Sequence, residues 1–358
     1  MAVDLAADDI ARTWAQAEGG AREPLLVLDP LLGFLDEHGL GEGEPEITPI
    51  GDGHSNVTFA VTRGDARFVL RRPPRGPLPP SAHDVLREAR VLQALAGQAR
   101  VPEVLAVGDD ASLIGSPFYV MALVDGHVVT DAVPAELDTL EDRRRMGEEL
   151  VDALVEIHAV DWENAGLTGF GKPSGYLERQ LRRFTGLWEH NRTREIDAVE
   201  SVGTWLRENL PESPPATVVH GDFRLGNTIL APGAPARVAA VLDWEMATIG
   251  DPLADLGYLC TLWVDRTDPP LGMFELSAVT RQDGFPLREE LVARYEERSG
   301  RSMTDIRWYQ TLALWKSIVF MEGNYKRAIA GTTDDPFLKS FGDGVIQLAD
   351  RAAALAHG

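Results

Sequence analysis

The chain holds a single cysteine, Cys260, so no internal disulfide can brace it. That thiol lies in an apolar run (residues 256–264) with no histidine beside it, and reads as a small buried hydrophobe rather than a nucleophile. Cationic residues are scarce. Thirty-four Lys and Arg against 56 Asp and Glu leave a formal charge of −22, which argues against a nucleic-acid partner, because phosphate backbones are bound by clustered cations. No apolar run approaches the roughly 20 residues of a membrane-spanning helix, and the first residues lack the basic-then-apolar pattern of a secretory leader. The expectation is a cytoplasmic protein with no membrane partner. The Walker-type GxxxxGK[ST] loop, a Ser-His-Asp signature, metal-type Cys/His spacing and internal repeats are all absent as well.

What remains is an ordinary globular composition, 44% apolar and 25% charged over 358 residues, long enough for more than one core. The most informative stretch is 218–257. An apolar strand at 217–219 is followed by a polar loop, a second apolar strand at 238–242 and an acidic turn. Asp222 and Asn227 stand five apart on a loop that Gly221 and Gly226 can keep tight, and Asp243 ends the second strand. Carboxylate and amide oxygens in this order suit a hard cation such as Mg²⁺, which completes its shell with phosphate and water. Each piece alone has a plainer reading, since Asp at a strand end also forms turns and caps helices.

The run HGDFRLGN (residues 220–227) resembles the catalytic loop of protein-kinase-like small-molecule kinases, and LDWE (residues 242–245) resembles their metal-binding Asp segment. The match is to the aminoglycoside phosphotransferase family, most of all to its branch related to the kinase-like domain of acyl-CoA dehydrogenase fusion proteins. That resemblance implies an α+β, two-lobed protein-kinase-like fold, with a small antiparallel β lobe and a large helical lobe. It also implies that Asp222 orients or deprotonates a substrate hydroxyl and that Asn227 and Asp243 hold Mg²⁺. Arg224 matches the position where protein kinases carry a Lys that faces the transferred phosphate.

The rest of the chain divides into an acidic, helical extension over 1–45, a nucleotide-binding lobe over 46–124 and a helical lobe over 125–358. Strands are expected at 47–50, 57–61 and 67–70. The glycine-rich link between the first two (Gly51, Gly53, Ser55, Asn56) is either a plain hairpin turn or, by the resemblance, a cover for nucleotide phosphates. Arg71 stands where the family usually offers a strand Lys to the phosphates, and the resemblance pairs it with Glu88. The plain alternatives are edge-strand charges at Arg71 and Arg72 and an exposed Glu88. Ser81 reads as the cap of the helix that carries Glu88, with Asp84 in its first turn. Met121, Ala122 and Val124 fall at the hinge, where main-chain groups of the last two would meet the nucleotide base.

Further helices are expected over 143–158, 172–189, 307–330 and 337–355. His158 reads as structural, capping or bonded to a carbonyl. Asp251 reads as a helix cap and Asp255 as a brace for the catalytic loop. Trp308, Trp315, Phe320 and Tyr325 are expected in the core. Lys172, Arg179, Arg182 and Arg183 form a basic cluster, unusual here, that is either a solvated face or a site for an anionic substrate.

The resulting expectation is a phosphotransferase that uses Mg²⁺ and ATP or GTP to phosphorylate a small-molecule hydroxyl, on a hydroxylated acyl or otherwise apolar metabolite ahead of an aminoglycoside. A nucleotide-binding pseudokinase is the rival, supported by Arg71 and opposed by the complete Asp222, Asn227, Asp243 set.

Overall fold

The structure is a computed structural model that describes residues 6, 8–18, 22–51, 56–76, 83–270, 276–332 and 336–358. It comprises two units: residues 1–97 with 101–125, and residues 98–100 with 126–358.

In the first unit, β1 (Ile10–Ala11) pairs parallel with β2 (Leu26–Val27), and α1 (Trp14–Ala17) lies between them in sequence. Next comes α2 (Leu28–Glu37), which tolerates Pro30 because the missing N–H falls in a first turn where it would have no intrahelical acceptor. The expected all-helical reading of 1–45 therefore holds only in part. Two-residue strands have too few side chains to show a period of two. An antiparallel sheet is built from β3 (Glu46–Ile50), β4 (Val57–Arg63), β5 (Ala66–Arg72), β6 (Val104–Gly108) and β7 (Phe118–Ala122) in the order β3-β4-β5-β7-β6, with α3 (Val85–Leu95) following β5 in the chain.

Alternation decides which face each side chain serves. Phe59, Val61, Phe68, Leu70 and Val120 share one core with Leu26, Leu31, Phe34 and Leu35, so the N-terminal segment packs under the sheet. Leu70 and Arg72 alternate with Val69 and Arg71, so the two arginines leave β5 on opposite faces. Arg72 is buried and donates to the carbonyls of Ile114 (3.2 Å), Pro73 (2.9 Å) and Leu25, and burial lowers its pKa to about 10. Neither arginine is an edge charge, since β5 is the central strand. The helix cap also differs from expectation: Asp84, not Ser81, accepts the Arg87 N–H at 3.0 Å as N-cap of α3, and Ser81 lies outside the described residues.

The second unit begins with α4 (Leu140–Ala159), capped by Thr139, which buries Met146, Leu150, Leu154 and Ile157 at the expected spacing. After it come α5 (Tyr176–Asn191) and α6 (Asp197–Glu208), then four short strands, β8 (Thr217–Val219), β9 (Thr228–Leu230), β10 (Val238–Val241) and β11 (Thr248–Gly250). β8 pairs antiparallel with β11, and β9 with β10. The chain ends in α7 (Leu253–Leu262), α8 (Arg288–Ser299), α9 (Ile306–Ile329) and α10 (Phe341–His357). Trp308 and Trp315 are core residues as expected, but Phe320 is 47% exposed and packs edge-on to Phe184. Among the described residues no helix is long and apolar enough to cross a membrane.

Helix α7 is buried nearly all round and lies against α9 through Gly257, where an added Cβ would sit 2.6 Å from the Tyr309 carbonyl carbon. Backbone cannot move aside as a side-chain tip can. Gly257→Ala is therefore expected to cost about 1–3 kcal/mol, seen as a lower denaturant midpoint with an unchanged slope.

Candidate active site

The loop between β8 and β9 is held by buried polar groups rather than by length. Asp255, in the first turn of α7, is fully buried and accepts the N–H groups of His220 (2.7 Å) and Gly221 (2.8 Å). Its third donor is His158 Nε2–H at 3.2 Å, while His158 Nδ1 accepts the Tyr295 hydroxyl at 2.7 Å. The brace expected of Asp255 is thus present, and His158 bonds this carboxylate and a phenol rather than a carbonyl. The sequence could not show that pairing, because the partners lie 97 and 137 positions away.

His220 itself lies beside Trp244 and Phe223 and donates Nε2–H to the Leu242 carbonyl at 2.8 Å. The Asp222 N–H then donates to its Nδ1 at 3.2 Å, a tautomer assigned from these bonds. Gly221 is required at φ 89°, where a Cβ would lie 2.8 Å from the Met246 carbonyl oxygen. The result is a main chain fixed on both sides of Asp222.

The Asp222 carboxylate, 26% exposed, is oriented by its neighbours. Asn227 Nδ2 donates to both its carbonyl and its Oδ2, each at 2.8 Å. Burial, with the negative Asp222 beside it, pushes Tyr258 well above the usual phenol range, so it stays a donor. Arg224 Nε lies 3.8 Å from Asp222 Oδ1 and remains partly exposed. Asn227 and Asp243 flank paired strands: Thr228 opposes Val241, and the Leu242 N–H donates to the Asn227 carbonyl at 2.8 Å. Asp243 adopts φ 64°, ψ 67°, a left-handed conformation that costs a non-glycine residue on the order of 1–3 kcal/mol and is held where side-chain placement matters. Among the described residues no three His, Cys, Asp or Glu side chains gather as a self-sufficient metal cage. One carboxylate and one amide oxygen would fit a cation that takes its other ligands from phosphate and water.

In the first unit, Arg71 Nε meets Glu88 Oε2 at 2.9 Å and its NH1 meets Thr58 Oγ1 at 3.2 Å. Glu88 is 2% exposed, not a surface carboxylate, and also accepts Asn56 Nδ2 at 3.2 Å. Gly51 takes φ 91° at the end of β3, while Gly53 and Ser55 lie outside the described residues. Met121 and Ala122 end β7, and Val124 follows it. The Ala122 N–H donates to the Glu103 carbonyl at 2.8 Å.

Burial lowers the pKa of His158 below its ordinary 6.5, and Asp255 opposes that shift without reversing it. Asp255 stays below the usual carboxylate range because its donors outweigh the burial that pushes it up. The sign follows from proton counts. Below pH 6.5 the unfolded chain takes up a proton that the folded His158 refuses, so stability falls with pH. Protonation of Asp255 extends the loss below about pH 3.8. The denaturation midpoint is expected to drop between pH 6.5 and 5, and His158→Gln, which keeps a donor toward Asp255 but cannot titrate, is expected to flatten that slope.

Comparison with known proteins agrees with this architecture. The family model "Phosphotransferase enzyme family" matches residues 46–303. Acyl-CoA dehydrogenase family member 10 of Mus musculus is 35% identical over 328 residues, which is 90% of this chain but 30% of that protein. The chain thus spans under half the length of the curated relatives it matches. A crystal structure from Ralstonia eutropha, assigned to the aminoglycoside phosphotransferases, superposes with a TM-score of 0.80 at 29% identity, covering 92% of this chain and 97% of that one. Aminoglycoside phosphotransferase APH(4)-Ia, in ternary complex with AMP-PNP and hygromycin B, shares the fold with a TM-score of 0.60 at 17% identity, over 92% of this chain and 99% of its own. The chain belongs to the phosphotransferase enzyme family and has its two-lobed, kinase-like α+β fold.

Two residues of the site escaped sequence reasoning. Tyr258 sits in a run that reads as helix core. Lys316 is the one charged residue in the stretch 311–321, and that interruption was the available signal.

Proposed function

We propose that the protein transfers the γ-phosphoryl group of ATP or GTP to a hydroxyl of a small molecule. The observation that carries this reading is the Asp222 carboxylate, oriented by Asn227 on a loop braced by Asp255, yet still open to solvent. In the reaction the acceptor oxygen bonds to the γ-phosphorus as the bond to the nucleoside diphosphate breaks, and the hydroxyl proton passes to Asp222. Arg224 lies close enough to Asp222 to offset charge on the transferring group. Arg71, set by Glu88 and Thr58, would bind the donor's phosphates, its planar fork replacing the point charge of a Lys. Gly51, Gly53, Ser55 and Asn56 would cover those phosphates, with Met121, Ala122 and Val124 near the base. Asn227 and Asp243 would hold Mg²⁺, which when bound neutralises phosphate charge.

The similarity to an acyl-CoA dehydrogenase family member supports a hydroxylated acyl or apolar metabolite as acceptor. An aminoglycoside acceptor is the second reading, supported by the hygromycin B complex of a fold neighbour and by the acidic balance of this chain. The test is ADP or GDP release from Mg-ATP or Mg-GTP over hydroxy acids, acyl thioesters, aminoglycosides and macrolides. Turnover with one class, absent in Asp222→Ala, supports the reading; nucleotide binding without acceptor-dependent release supports a pseudokinase instead.

A further inference from the structure

The left-handed backbone of Asp243 persists only where its surroundings over-determine it. On one side this is met by the catalytic loop, since the Leu242 N–H donates to the Asn227 carbonyl and the Leu242 carbonyl accepts from His220. The other side is the outer edge of β10. Among the described residues β10 pairs with β9 alone, so the main-chain groups on its far edge need partners that no strand supplies.

Arg100 supplies them, from the short piece of chain (residues 98–100) that belongs to the second unit. Its carbonyl accepts the Val241 N–H at 2.7 Å, and its NH1 donates to the Val238 carbonyl at 3.3 Å. Glu149 Oε2 accepts the same NH1 and also the Val238 N–H, the latter at 3.2 Å. The other guanidinium nitrogens that bond, Nε and NH2, donate to the Glu156 carboxylate at 2.8 to 3.2 Å. Both glutamates stand on α4, so one planar fork ties a core helix to both ends of a four-residue strand. The point charge of a Lys cannot span that set of partners. Val241, which Arg100 holds, stands two residues before Asp243, and Leu242 between them is held from the opposite side.

We propose that Arg100 is a positioning residue for Asp243, fixing the outer edge of β10 so that the aspartate is presented to a divalent cation in its left-handed conformation. This deepens the phosphotransferase reading and rests on it for the role of Asp243 as a metal ligand. Arg100 itself touches neither metal nor substrate in this account; it acts through the strand.

The test measures Mn²⁺ binding in the presence of ADP, by the paramagnetic resonance of the free ion, in wild type, Arg100→Met, Arg100→Lys and Asp243→Asn. Arg100→Met combined with Glu149→Gln and Glu156→Gln removes the fork without stranding two carboxylates, and keeps the question answerable where the single variant folds poorly. Loss of a partner outside the metal's own ligands costs about 10- to 100-fold in affinity, and the low end of that range is expected for Arg100→Met and the triple variant. Arg100→Lys should fall between them and wild type, and ADP without metal should bind all forms alike. Hydrogen exchange of the metal-free protein gives the second readout. The Val241 and Leu242 amides should exchange faster in the variants, relative to the His220 and Gly221 amides that Asp255 holds. Wild-type Mn²⁺ affinity in the Arg100 variants, or exchange that rises equally at all four amides, overturns the proposal. If Asp243→Asn weakens Mn²⁺ binding while Arg100→Met does not, Arg100 alone loses its role and the phosphotransferase reading stands. If Asp243→Asn binds Mn²⁺ as wild type does, the metal role of Asp243 in that reading is overturned, and this proposal with it.

Discussion

Asp222→Ala is expected to reduce acceptor phosphorylation by about 10²- to 10⁴-fold, the range seen when a positioned proton acceptor is removed. The fall should appear in turnover, with nucleotide affinity nearly unchanged, because the proposed phosphate ligands Arg71 and Asn56 take their orientation from Glu88. Folding should survive as well. The side chain is partly exposed, and the loop is anchored through the backbone of His220 and Gly221 rather than through Asp222. Asn227 loses one of its two acceptors but keeps the Asp222 carbonyl. Single-turnover kinetics with a denaturation curve of the same variant separates chemistry from stability.

The second large effect belongs to a residue with no expected contact to substrate. Asp255→Ala removes the acceptor of two buried N–H groups and of His158, and leaves all three donors unsatisfied in the core. Breaking such a buried charged network is expected to cost about 3–5 kcal/mol. At that cost a domain of ordinary stability becomes marginal, so the variant should show a much lower denaturant midpoint and little activity. Asp255→Asn keeps the volume and one acceptor oxygen, and should fall between. If Asp255→Ala were as stable as wild type, the brace on the catalytic loop would not be what holds it.

How much of this could be read from the sequence depends on the distance over which each residue acts. The stretch 218–257 was legible as a polar loop between two apolar strands, while the roles expected of Asp222, Asn227 and Asp243 came from its resemblance to a kinase-like catalytic loop. The β4 and β5 strands were legible from local pattern as well, through alternation. The pairing of His158 with Asp255 and Tyr295 joins residues far apart on different helices, and nothing near His158 encodes it. Phe320 looked like core because aromatic residues in a long helix usually are, yet α9 turns it outward toward Phe184. Asp84 displaced Ser81 as cap because either can accept the N–H, and spacing alone does not choose between them. At the N-terminus, the strands β1 and β2 were too short to oppose the helical pattern of leucines around them.

The central claim is phosphoryl transfer to an alcohol with Asp222 accepting the proton. Phosphorus NMR of Mg-ATP and Mg-GTP incubated with the wild-type protein and the hydroxy acid series tests it directly, with Asp222→Ala alongside. The account predicts a new phosphate monoester resonance that grows with the nucleoside diphosphate, one for one, and is lost in the variant. Release of inorganic phosphate without a monoester, or an equal monoester signal from Asp222→Ala, would contradict it.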